Sequence, residues 1–148
     1  MQVLSGVASQ VRHTLDVRSL AGENSHVVTT HIGLLMLNGR QVRLKSGQPL
    51  LINEGDQIVV AGDEAGGVFK GLAYRNLDTQ VSGDEGWIVQ SVGGAVFGAG
   101  SLLALLRFSD AGFGPMPQLV ASAFLAIGAY LLWRGWRVRQ ACLLLRRQ

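Results

Sequence analysis

The sequence predicts a small all-β barrel of five strands followed by a two-helix transmembrane hairpin. Three observations carry this. Residues 1–76 break into short segments of alternating apolar and polar residues, separated by turn signals. Two uncharged runs of 19 residues follow, at 88–106 and 115–133. Only RFSDAGFG separates them, too short a stretch for a domain. At about 1.5 Å rise per residue, each run nearly crosses a hydrocarbon core of about 30 Å. Four segments follow: a barrel at 1–76, a linker at 77–87, the hairpin at 88–136 and a basic amphipathic tail at 137–148.

The first strand is expected at 6–18. There Val7, Val11, Leu15 and Val17 share the face predicted to point inward, and Gln10, Arg12, Thr14, Asp16 and Arg18 share the other. Residues 21–25, AGENS, read as a loop. The second strand, 26–37, is rich in β-branched residues and ends at Asn38-Gly39, a pair that tolerates positive φ and signals a hairpin. The third strand returns at 41–45, with Val42 and Leu44 inward and Gln41, Arg43 and Lys45 outward. SGQPLLINEGD connects to a fourth strand at 57–61. DEAGG is read as a turn, and a fifth strand follows at 68–74 with Gly71 as a candidate bulge. Residues 76–86 are polar and read as a flexible joint. Five short strands at this spacing suit a closed or nearly closed barrel.

The hairpin is expected to pack through small residues, which let helix backbones approach in lipid. Gly94 and Gly98 form a GxxxG with Ala95 and Ala99 beside them, and Ser122 and Ala126 give a similar spacing in the second run. The same stripe could serve oligomerisation. The charge is unevenly distributed. Residues 1–87 hold 7 Lys/Arg and 9 Asp/Glu, whereas residues 88–148 hold 6 Arg and 1 Asp. The basic character belongs to the end of the chain. Arg134, Arg137 and Arg139 follow the second run, with Trp133 and Trp136 as interfacial anchors. By the positive-inside rule the tail is cytoplasmic and the elbow external, and two crossings return the N-terminal barrel to the cytoplasm. MQVLSGVASQVRH lacks the apolar run of a signal peptide, and the single Cys142 has no internal disulfide partner. The tail reads either as a separate helix in the headgroup layer or as an extension of the second span.

INEGDQIVVAG followed by GVFKGLAYRN resembles the fourth and fifth strands of OB-like barrels. It is similar to the barrels that bacteria tether to membrane helices, as in the NfeD-like proteins. In those the barrel usually follows the helices, and a helix usually joins strands three and four. Here the barrel comes first and only SGQPLLINEG occupies that connection. GDQIVVAG and GVFKGLAYRN also resemble small bacterial membrane proteins labelled as type VI secretion effectors. These resemblances imply a membrane-tethered barrel in the bacterial inner membrane and no catalytic motif.

The residues themselves support no enzyme. His13, His26 and His31 have no metal-ligand spacing, so no metal or other cofactor is expected. Asp63-Glu64 and Asp84-Glu85 read as solvated turn residues. No nucleophile setting such as GxSxG occurs. Arg40, Arg43 and Lys45, with Lys70 and Arg75 near, make a possible partner-binding edge. Nucleic acid is not the expected partner, because residues 1–87 together are net acidic and the barrel has only Phe69 and Tyr74 as aromatics. The expected function is a non-catalytic, membrane-anchored interaction or assembly module, whose partners are the bilayer and either another protein or copies of itself. One alternative is a secretion- or toxin-associated protein whose hairpin acts on the membrane. A third is a membrane-tethered nucleic-acid binder.

Overall fold

The computed structural model describes residues 1–19, 27–108 and 116–146. His26, Asp110, Pro115 and Arg147, together with most of the elbow, lie outside the described residues. The elements are β1 (Gln2–Ser19), β2 (Val27–Leu37), β3 (Arg40–Ser46), β4 (Gln57–Ala65), β5 (Val68–Asn76), β6 (Ser82–Asp84), α1 (Trp87–Phe108) and α2 (Met116–Leu145). Two compact units result, Met1–Glu85 with Gln140–Gln148, and Gly86–Arg139.

The first unit contains a closed five-strand barrel. The strand order is β3-β2-β1-β4-β5, and β3 pairs with β5 to close the ring. That closing pair is parallel, with Val42 beside Phe69 and Leu44 beside Gly71, whereas the other pairings are antiparallel. The interior is filled by Leu35, Leu37, Val42, Leu44, Ile58, Val60 and Phe69. Asn38 and Gly39 turn the β2–β3 hairpin with φ of 50° and 77°, the backbone that a two-residue hairpin of this hand requires.

Three features differ from the sequence reading. On β1, Ala8 is buried and Leu4 packs on the core, while Val7, Leu15 and Val17 are exposed. The register against β2 shifts between Ser9 and Arg12, where Gln10 takes φ +52°. One extra residue exchanges the two faces of a strand. The inward set is therefore even-numbered before the bulge and includes Val11 after it. Leu15 and Val17 keep the inward parity but lie where β1 has outrun the barrel. Second, Asp63 and Glu64 lie within β4, and the β4–β5 turn is Gly66-Gly67, both at positive φ. Third, the joint at 77–87 contains β6, which pairs with β5. Of the two readings left open for the tail, the structure takes the extension of the second run, since α2 runs unbroken for 30 residues.

The register of β4 against β5 also shifts, between Ala61 and Gly62. Gly71, the residue expected at a bulge, faces Gly62 there. A Cβ on Gly62 would strike the Lys70 carbonyl oxygen, and one on Gly71 would strike Leu44. The two glycines let these strands coil tightly enough to close a small ring.

A second apolar cluster lies outside the barrel wall. Val59, Ala61 and Ala73 point outward from β4 and β5, and Ala141 and Leu145 pack against them. Part of the apolar side of the tail thus packs on the barrel wall, where one of its two readings set it against headgroups. Here a strand with residues buried on both faces obeys the same rule as any doubly covered sheet.

The second unit is the helical hairpin. Both helices are long and apolar enough to cross a membrane. They approach most closely along glycines. A Cβ on Gly94 would lie 2.8 Å from the Leu132 amide nitrogen and 2.9 Å from the Gly128 oxygen. One on Gly128 would lie 2.8 Å from the Gly98 nitrogen, and one on Gly135 would lie 2.6 Å from Ser91 Oγ.

Candidate functional site

The predicted basic edge is real as a position on the sheet but is divided electrically. Val42 and Leu44 point into the barrel, so Arg43 and Lys45 point out. The parallel β3–β5 pairing sets Arg43 beside Lys70. Arg40 makes an ion pair with Glu64, across the closing seam of the barrel. Arg75 donates to Gln80 Oε1 at 3.1 Å and is not part of the edge. Lys45 and Lys70 are exposed and Arg43 is half-buried. The β4–β5 register also sets Asp63 opposite Lys70. Asp63 is engaged too, 3.0 Å from the N-terminal amine. The pair read as solvated turn residues instead makes two ion pairs.

Phe69 and Tyr74 are both buried in the barrel core. Neither offers a ring on which a base could stack, and single-strand binding depends on such platforms. Burial raises the Tyr74 phenol above its ordinary value, opposed by a weaker hydrogen-bonding interaction with the Leu51 backbone. His13 sits near the barrel rim with Nε2 3.1 Å from the Ile52 carbonyl oxygen. Among the described residues no group of three or more His, Cys, Asp or Glu could hold a metal ion.

In the hairpin, Gly94 and Gly98 meet the second helix, but their partners are Gly128 and Leu132. Ala95, Ala99, Ser122 and Ala126 are exposed and do not line this contact. The Ser122 hydroxyl donates to the Gln118 carbonyl one turn back, at 2.8 Å. Sequence reasoning passed over Gly128 and Gly135. Their signal was a seven-residue spacing, two helical turns, which puts both on one face. Towards the elbow end of the described helices lies a groove of about 570 Å³, lined by Phe97, Ser101, Ala104, Val120 and Phe124 among others. The Phe97 and Phe124 rings stack at 5.8 Å. Its one hydroxyl, on Ser101, donates to the Phe97 carbonyl at 2.6 Å. The groove therefore suits apolar chains and offers an ion nothing.

The predicted interface residues form a band on the last part of the hairpin. Arg137 lies over the Trp133 ring at 5.2 Å from its centroid, and Arg139 over Trp87 at 5.8 Å. Tyr130 adds a third ring 6.2 Å from Trp133. Trp136 is exposed and Arg134 is half-buried. Arginine stacked on an interfacial tryptophan keeps its charge at headgroup depth while its stem covers apolar surface. No protein-family model, curated protein or solved structure matches the chain.

Proposed function

We propose that this chain is a non-catalytic, membrane-anchored interaction and assembly module. In this reading an OB-like barrel is held at the cytoplasmic face of a bacterial inner membrane and presents its strand edges to a protein partner or to copies of itself. One observation carries it: the chain leaves the barrel into α1 after two residues, and the final turns of α2 belong to the same compact unit as the barrel. Only Glu85 and Gly86 separate β6 from α1. The last turns of α2 supply Ala141 and Leu145 to the cluster on β4 and β5. Two residues reach about 7 Å at full extension, which supports a barrel that works close to the bilayer. The cyclic strand order with its parallel β3–β5 closure supports the OB-like assignment. The arginine and tryptophan band supports a cytoplasmic exit for α2, and the shared cluster supports both ends of the chain lying on one side.

The test is purification of the intact chain from its native membrane in a mild detergent, followed by mass determination and identification of what accompanies it. A defined homo-oligomer or a stoichiometric protein partner is expected. A clean monomer with no partner would sink the reading, and weight would then move to a hairpin that acts on the membrane itself. Depolarisation of cells on expression would identify that second activity directly.

A further inference from the structure

β1 is longer than the barrel needs. Its outer edge pairs with β4 only from Gln2 to Val7. Ala8 then exchanges backbone hydrogen bonds with Gly55 and Asp56, and the Gln10 amide donates to Glu54. From Arg12 to Ser19, among the described residues, β1 pairs with β2 and with no other strand. β3 follows β2 only as far as His31. Among the described residues the ribbon beyond Leu15 and His31 is therefore two-stranded, and no strand pairs with the outer edge of β1 there. Among the same residues its apolar side is exposed too. Leu15 and Val17 continue the face on which Val11 meets the core, yet they are 59% and 58% exposed. An open edge of this length with no Gly, Pro or bulge after Gln10 is a template for another strand.

The sequence of that edge is complementary to itself. We propose that two copies of the chain pair antiparallel through β1, about a two-fold axis at Thr14. This names the partner and the surface within the assembly reading, on which it rests. In that register Arg12 of each copy faces Asp16 of the other, twice over. His13 faces Leu15, and Val11 faces Val17, which gathers the uncovered apolar residues of both copies onto one face. A register one residue longer, centred on Leu15, sets Arg12 opposite Arg18 and leaves Asp16 against Thr14. A register centred on Val17 restores an Asp16–Arg18 pair but shortens the overlap to residues 15–19. An isologous contact needs one patch that fits itself, and opposite charges directly across a strand pair favour it. Both spans confine the copies to a plane, which raises their effective concentration.

The experiment uses the full chain in mild detergent with Cys142→Ser, so that Thr14→Cys supplies the only thiol. Residues facing each other across an antiparallel pair stand about 4.5–5.5 Å apart at Cα, within disulfide reach. Mild oxidation is expected to give a covalent dimer from Thr14→Cys and none from Gln41→Cys on the outer face of β3. Adding Asp16→Arg places two like-charge pairs in the register and should lower the yield on the order of tenfold. The exchange of Arg12→Asp with Asp16→Arg should restore it, which a misfolded variant would not do. A yield that ignores Asp16→Arg would overturn the proposal. So would a chain that stays oligomeric by mass without cross-linking at Thr14, although assembly through another surface would survive. A monomer throughout would remove both.

Discussion

Asn76 Nδ2 donates to Asp56 Oδ2 at 2.7 Å, tying the end of β5 to the connection that precedes β4. The same amide group donates to the Leu51 carbonyl, and its Oδ1 accepts from the amides of Asp78 and Thr79. Asn76 is completely buried. Two of these four side-chain bonds hold the connection between β3 and β4, and two hold the turn that follows β5.

Asn76→Ala leaves the Leu51 carbonyl and Asp56 without this donor and opens a cavity as well. The expected loss is about 2–4 kcal/mol, read from denaturant unfolding of the full chain in detergent. Asn76→Asp should be at least as damaging at neutral pH, because it sets a second carboxylate against Asp56. A loss below about 0.5 kcal/mol for Asn76→Ala would mean that the loop is held by other contacts.

The hairpin separates two glycines that look alike in sequence. Gly94→Ala drives a methyl group into the Leu132 and Gly128 backbone, which cannot turn aside. Gly100→Ala meets nothing within 4 Å. The first should destabilise helix pairing by about 1–3 kcal/mol, and the second should be neutral or slightly stabilising. Thermal unfolding of the two variants in one detergent gives the comparison, and equal midpoints would refute the packing face.

Leu145 is nearly buried against β4 and β5. Leu145→Ala should cost about 2–3 kcal/mol and should speed hydrogen exchange at Val59, Ala61 and Ala73, although these residues are more than 70 positions away in sequence. Leu144→Ala, one residue earlier and exposed, should change neither. Equal protection in both variants would show that the tail does not cover the barrel.

Burial raises the pKa of Tyr74 from its ordinary value of 10.0. The phenol is thus held protonated in the folded chain at pH values where an unfolded chain already ionises it. Its contribution to stability is complete below pH 10 and is lost as pH rises through the folded value. The wild type should therefore lose stability above pH 10 faster than Tyr74→Phe. Parallel curves for the two would show that the ring is reached by solvent.

The strands, the Asn38-Gly39 turn and the two apolar helices were legible because each follows a period or a turn chemistry that acts locally. The interior of β1 was not. One residue, Gln10, takes a left-handed backbone that any sequence disfavours, and it reverses the parity on which the reading of Val7 depended. Nor did local pattern reveal where β1 stops being barrel. Asp63 and Glu64 resembled turn residues until their partners, the N-terminal amine and Arg40, came from far along the chain. The helix contact was half legible. GxxxG marked Gly94 and Gly98, but a glycine chosen for its neighbour's approach, such as Gly128, has no motif of its own. The outward apolar residues Val59, Ala61 and Ala73 read as an ordinary buried strand, and nothing nearby in sequence announced that a helix end would cover them.

That cover sets an order of events during synthesis. Residues 59–73 leave the ribosome well before residues 141–145, and at about 5–20 residues per second the interval is several seconds. Through that time Val59, Ala61 and Ala73 wait without the side chains that cover them. The ring of strands can close early, but its outer wall is completed only after the end of α2 has been made. A chain cut short before residue 141 therefore keeps an apolar patch on the outside of a closed ring, where a chaperone or protease can read the missing end.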